Sequence, residues 1–415
     1  MKKAISILFL LLLLFAYPVA AAPFDPSDAY GLLPNTYNPA NRDVPIFVLT
    51  TGVSAESNSL NYQLIPLLNA DWSDEEREWV GSLIGKNGLS LSANVMPVFG
   101  LNFKIFGLNA AGKASVSGTI PKHFTDLLFY GHDAQKLIDE EVITYDFKDL
   151  NGHGAAYLEA GITLAHTRKR LTLGLNAKYL YGFGYGDAYG NGMIVTAHKD
   201  GETSISGQDL DFTMFYAMEG AGYSFDVGAR YQLSNSFAVE GSVLNIGQIH
   251  WQDGVKYQVR REGEFNLLKF GFDTKEMKFI FETDELEESE ELFEEVEETN
   301  LEYIWRLPRV TRVGADWQLG RSLRLRGEVN HTKHYQVDGE SSTIGLAGGM
   351  EYRLLRIFPI RITGQKVLNE QAIINGGIGL NLGPIRVDAS VHNILGALMK
   401  DRRGFGAGVS ATLKF

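Results

Sequence analysis

The sequence predicts an all-β protein, a transmembrane antiparallel β-barrel of about 14–16 strands with an N-terminal plug-like segment. Three observations predict it. The chain ends on Gly404–Phe415, where Phe405, Ala407, Val409, Ala411, Leu413 and Phe415 alternate with Gly404, Gly406, Gly408, Ser410, Thr412 and Lys414. That is the period-2 signature of a strand with one apolar face. Similar segments recur upstream, joined by connections that are alternately tight and long. Finally, the N-terminus has the form of an export signal, and no later stretch is apolar for long enough to span a membrane as a helix.

Composition agrees with this class. Mean hydropathy is close to zero, as expected where lipid-facing and lumen-facing residues cancel. There is no Cys, which excludes a disulfide framework, a lipoprotein anchor and thiolate metal sites. The formal net charge is -12, but Glu282 to Glu298 alone carries eleven acids and no base. The remainder is nearly balanced and offers no basic face for nucleic acid.

In chain order, Lys2-Lys3, the apolar Ala4–Ala16 and the small residues up to Ala21 read as a signal peptide over residues 1–21. Residues 22–88 are irregular, with Pro and Asn breakers, a strand candidate at Ile46–Val53 and a capping box at Ser73–Glu76 opening a short helix. This region is expected to lie inside or against the barrel as a plug; a plain N-terminal extension is the alternative. Residues 89–415 are expected to form the barrel.

Within it, Leu171, Leu173, Leu175, Ala177, Tyr179 and Tyr181 oppose Thr172, Asn176 and Lys178. Phe225, Val227 and Ala229 oppose Asp226 and Arg230; Leu323, Leu325 and Val329 oppose Arg324, Arg326 and Glu328; Val387 and Ala389 oppose Arg386 and Asp388. An Arg at the lipid midplane costs roughly 2–4 kcal/mol, so the charged faces must line the lumen. The candidate lumen-lining set is Lys178, Asp226, Arg230, Arg312, Asp316, Arg324, Arg326, Glu328, Arg353, Arg386 and Asp388. Together with Glu351 on the neighbouring C-terminal strands, such a mixed-sign set serves either as a polar constriction or as a charge ladder holding the wall together.

Tight turns are expected at Gly107–Ala110, His166–Arg170, Leu233–Ser236, Leu319–Ser322 and Asn381–Pro384. Long loops are expected at Pro121–Gly154, Gly182–Asn191, His331–Ser341 and Leu395–Arg403, with the largest insertion at 252–308. With the C-terminus periplasmic, the long loops come out extracellular. The acidic run within the insertion has Leu286, Phe293 and Val296 at near-helical spacing, which permits an amphipathic helix or a solvated loop. Tyr179, Tyr181, Phe183, Tyr185 and Tyr189, with Trp251, Tyr303 and Trp305, read as interfacial girdle residues. The nine His are scattered, and Ser390 and His392 share a lumenal face, so neither an enzyme nor a cofactor site is expected.

Asn38-Pro39-Ala40 resembles the N-terminal Asn-Pro-Ala of the long-chain fatty-acid transporter superfamily, where that segment belongs to a hatch inside the lumen. Asp126–Gly131, Lys178–Gly182, Phe225–Tyr231 and Leu244–Trp251 look like recurrent segments of a related barrel family with no assigned activity. A terminal Phe415 is similar to the assembly signal of bacterial outer-membrane barrels. The resemblance implies location in the bacterial outer membrane, contact with its lipid, and recognition by the outer-membrane assembly machinery through the C-terminal strand. It further implies passive transport of a hydrophobic or amphipathic ligand. The alternative is a surface or secretion-associated barrel that acts through protein contacts of its long loops.

Overall fold

The computed structural model describes residues 38–40, 46–57, 82, 84, 88–103, 106–125, 142–199, 202–267, 269–273, 278–282, 294–336, 339–355, 357–368, 372–395 and 405–413. The Ser73–Glu76 capping box, Leu286, Phe293 and Phe415 lie outside these.

A single antiparallel sheet closes on itself. Strand β1 (Phe47–Ser57) pairs with β2 (Leu89–Val95) and β3 (Val98–Asn102), which together make one interrupted wall strand. Next come β4 (Phe106–Ile120), β6 (Asn151–Arg168) with β5 (Val142–Asp146) extending its line, β7 (Leu171–Lys199), β8 (Glu202–Gln232) and β9 (Phe237–Leu267). The hairpin β10 (Lys269–Asp273) and β11 (Lys278–Glu282) stands apart. Both β12 (Glu294–Arg306) and β13 (Arg309–Leu319) pair with β9, as two halves of one wall strand broken at Leu307-Pro308. Then follow β14 (Leu323–Gln336), β15 (Gly339–Leu354), β16 (Phe358–Val367), β17 (Ile373–Leu382), β18 (Ile385–His392) and β19 (Phe405–Leu413). β19 returns to β1 in the register Phe47↔Leu413 to Ala55↔Phe405. The circuit holds 14 wall strands among the described residues, and closure removes the sheet edges that lipid cannot satisfy.

The solvent logic is inverted relative to a water-soluble sheet. Leu49, Leu173, Leu175, Tyr223, Val313, Val329, Ile362, Ile378, Val387 and Val409 are exposed on the outer wall, while Lys178, Asp226, Glu240, Asp316, Glu351, Arg361 and Asp388 are buried on the inner one. Only a bilayer around the wall makes that partition favourable. No helix among the described residues is long and apolar enough to cross a membrane; the crossing is made by strands.

Several boundaries differ from the sequence expectation. The wall begins with β1 at Phe47, not at residue 89, because the alternation in Phe47–Ser57 pairs with both β19 and β2–β3. Gly107–Ala110 lies inside β4; the chain reverses just before it, where the Phe103 amide donates to the Phe106 carbonyl. Gly182–Asn191 is not a loop but the middle of β7, whose 29 residues pair along β8 as a hairpin. Likewise residues 252–267 continue β9 and 294–306 form β12. Glu294–Glu298 are therefore extended, paired with Lys256–Arg260, rather than helical. His331–Ser341 is largely the tip of the β14–β15 hairpin. Strands β8 and β9 have 31 residues each, roughly 100 Å at the strand rise, far more than a bilayer requires. They project beyond the barrel at the end away from the tight turns.

Candidate functional site

The inner wall of β8 and β9 is shaped by residues in the left-handed region: Asp209, Glu219, Asn245 and Asp253 have φ of 48°, 65°, 59° and 52°. Asp and Asn adopt this conformation more readily than other side chains. The buried face changes parity across Glu219, Asn245 and Asp253, with Ala217 and Gly220, Leu244 and Ile249, and Trp251 and Gly254 buried on either side. At Asn245 the ladder shifts register between Phe225 and Val227 of β8, and the Asn245 amide donates to Asp226 Oδ1 at 2.8 Å.

The exchange corrects the girdle reading. Tyr179, Tyr181 and Phe183 point outward, but Tyr185, Trp251 and Trp305 are buried on the inner face. Two glycines make room for Trp251. A Cβ at Gly182 would meet its Cη2 at 2.4 Å, and one at Gly220 would meet its Cε3 at 2.7 Å. Tyr185 is the hub of an aromatic chamber, with ring centroids 5.7 Å from Trp251, 5.6 Å from Trp305, 5.0 Å from Tyr303 and 5.9 Å from Phe215. Tyr157 lies 5.8 Å from Trp305. These separations suit tilted and edge-to-face packing. The Tyr185 hydroxyl donates to Asp187 at 3.3 Å and sits 3.2 Å from the Tyr303 hydroxyl. Farther along the projecting strands, Phe124, Tyr145, Phe147, Ile194, Leu210 and Phe265 build a second apolar core with Phe270 of β10.

Toward the tight turns the wall becomes charged. Lys178 lies 3.0 Å from Asp226 and 3.4 Å from Glu159, and donates to Asn245 Oδ1 at 3.2 Å; Lys113 holds the other Glu159 oxygen at 2.8 Å. One step nearer the turns sits Asn38-Pro39-Ala40. Asn38 Nδ2 donates to the carbonyls of Ala229 and Gly241 at 3.3 and 3.4 Å, and its Oδ1 accepts from the Ala40 amide at 2.9 Å. The segment rests on Gly174 and Gly228, where any Cβ would lie within 2.1 Å of Pro39 or Asn38.

Two further ion groups ring the tight-turn end. In the first, Arg230 bridges Glu240 at 3.1 Å and Asp316 at 3.0 Å, Arg324 also holds Asp316, and Arg326 joins Glu240 at 2.8 Å and Glu328 at 3.4 Å. In the second, Arg361 joins Glu351 at 2.7 Å to Asp388 at 2.9 Å, Arg386 spans the same two acids, and Arg353 holds Glu351 at 2.7 Å. Arg312 is buried on the same inner face. The structure thus brings ten of the candidate lumen residues into three groups, organised by Glu159, Glu240, Glu351 and Arg361. Of these four the sequence reading places Glu351 in the lumen and omits Glu159, Glu240 and Arg361 from the candidate set, because alternation gives a face but not the cross-strand partner. Sequence reasoning misses the chamber aromatics as lumenal residues; Glu219-Gly220 and Asp253-Gly254 in the long strands are the signal for the bulges that turn them inward.

The profile of a family of unknown function, DUF5723, matches residues 39–390. No curated protein matches the chain. Among solved structures, the Ralstonia pickettii toluene transporter TbuX is similar at 13% identity and TM-score 0.50, covering 94% of this chain and 98% of its own. A Pseudomonas aeruginosa FadL homologue is similar at 12% identity and TM-score 0.50, covering 95% of each. At these identities the likeness establishes the fold, that of FadL-type outer-membrane barrels. The match over most of its length means that this chain belongs to the DUF5723 family of unknown function.

Proposed function

We propose that the protein is an outer-membrane channel for passive transport of hydrophobic or amphipathic small molecules. The observation that carries this reading is the aromatic chamber. An aqueous pore presents polar groups to its interior, whereas Tyr157, Tyr185, Phe215, Trp251 and Trp305 are turned inward as one apolar cluster. The fold is shared with a toluene transporter, which supports a hydrophobic substrate class. Ligand gathers among the projecting strands, parts the chamber rings, and passes the Lys113–Glu159–Lys178–Asp226 level. Asn38–Ala40 acts as the plug at the exit, and the ion groups of the tight-turn end keep the lower lumen wet and the wall closed. Lipid surrounds the outer wall, and the C-terminal strand presents the protein to the assembly machinery.

The test is mass spectrometry of the detergent-purified protein combined with uptake of a radiolabelled monoaromatic by producing cells. A retained lipid-like molecule is expected, together with uptake that drops toward the vector control in a Trp251→Ala, Trp305→Ala variant. Uptake equal to the control in the wild type, with a retained polypeptide instead of a lipid, overturns transport in favour of a barrel that works through protein contacts.

A further inference from the structure

Trp251 is fully buried, yet its indole nitrogen has no hydrogen-bond partner among the described residues. An unsatisfied buried N–H is costly and rare. The ring is fixed by the wall: its Cε3, Cζ3 and Cη2 atoms lie over Gly182 and Gly220 of β7 and β8. The six-membered ring therefore occupies the space that side chains at the two glycine positions would fill. Tyr185, whose ring is 5.7 Å away, and the apolar Leu180, Ala217 and Ile249 share the buried cluster of Trp251. The Tyr185 hydroxyl is already engaged, with Asp187 and with the Tyr303 hydroxyl. Trp251 is left as a fixed buried donor among aromatic rings, while the polar Asp187 and His153 gather on Tyr185.

We infer that Trp251 selects, within the proposed transport function, for planar aromatic ligands that carry a hydrogen-bond acceptor, such as an aryl carbonyl, over hydrocarbons of the same shape. The inference rests on the chamber being a ligand site. Stacking on Tyr185 and Trp305 supplies affinity for any flat ring, whereas the indole N–H is satisfied only by a ligand with an acceptor. A site holding an unpaired buried donor disfavours the analogue that lacks the matching group.

The experiment compares acetophenone with ethylbenzene, which differ by a carbonyl in place of a methylene. Binding to the protein in lipid nanodiscs is measured by equilibrium partition, with empty nanodiscs as the blank. Both ligands are expected to bind the wild type. In Trp251→Phe, which keeps an aromatic ring and removes the donor, the acetophenone-to-ethylbenzene affinity ratio is expected to fall about tenfold. Ethylbenzene binding should change less than about twofold, since the ring contact remains. An unchanged ratio, with both ligands still bound, overturns the inference and leaves transport standing. Binding of neither ligand by the wild type overturns the chamber as a ligand site and the inference with it. A second readout does not require the variant to fold. In wild-type protein labelled with 15N at the indole nitrogens, one exchange-protected resonance should move downfield with acetophenone and not with ethylbenzene. Absence of that shift also overturns the proposal.

Discussion

The side-chain oxygen of Asn38 occupies the space where Gly228 would carry a Cβ, at a separation of 2.0 Å. The same oxygen accepts from the Ala40 amide, and the amide nitrogen bridges the carbonyls of Ala229 and Gly241 on neighbouring strands. A three-residue segment is thereby docked on a backbone surface that only glycine provides.

Gly228→Ala is accordingly expected to expel the segment without opening the wall, because Gly228 stays in register with Gly174 and Ser242. The chain contains no Cys, so Ala40→Cys gives a unique reporter. Maleimide labelling of that thiol should be slow in the parent, where Ala40 is fully buried, and at least several-fold faster with Gly228→Ala. Equal rates show that the segment is not held by this fit.

Lys178→Met tests the charge level beneath the chamber. It leaves Asp226 without its cation, while Glu159 keeps Lys113 at 2.8 Å. Removing one partner of a buried pair typically costs about 3–5 kcal/mol. The urea midpoint for loss of the compact, fast-migrating form on unheated gels should fall accordingly. Asp226→Asn in the same background restores neutrality and keeps the carbonyl oxygen that the Asn245 amide needs, so most of the loss should be recovered. A double variant no better than the single one shows that packing, not charge, governs the site.

The outward rows of the regular strands were legible in the sequence, because lipid on one side and charge on the other make period 2 unmistakable in stretches such as Leu323–Asn330 and Ile385–His392. The left-handed bulges at Glu219, Asn245 and Asp253 were not, since each exchanges the two faces within an unbroken strand. On β7 the exchange falls at the register shift opposite Ala156–Tyr157, so that Tyr181 and Tyr185 have the same parity, yet one faces outward and the other inward. That reversal also makes Gly182–Asn191 look like a loop. The mutual attachments of the charged residues were illegible for a different reason: Arg361 meets Asp388 from two strands away, a relation fixed by closure and shear rather than by local pattern.

Arg361 gives a test of that second group. Its Nε donates to Glu351 at 2.7 Å and its Nη2 to Asp388 at 2.9 Å. A guanidinium holds two acids at fixed angles, whereas an ammonium on a flexible stem satisfies one of them well. Arg361→Lys, which conserves charge, should still cost about 1–3 kcal/mol, the scale of one lost charged hydrogen bond. The same urea midpoint reads it, and because the pair is buried the loss should be nearly independent of salt. Stability equal to the wild type shows that charge alone suffices there.

The orientation of the wall relative to lipid is tested by depth. Ile378 lies in the middle of β17 and is 65% exposed on the outer surface; Leu382 is 57% exposed but borders the tight turn at Gly383. In water the two positions are equivalent, and Arg at either costs little. In a bilayer, Arg costs about 2–4 kcal/mol at the midplane and 0–1 kcal/mol near the interface. Ile378→Arg should therefore sharply reduce refolding into lipid vesicles, while Leu382→Arg stays close to the wild type. The difference should shrink in detergent micelles, where a long cationic side chain reaches water from any depth. Equal penalties at the two positions in vesicles contradict a membrane boundary running where the exposed apolar band places it.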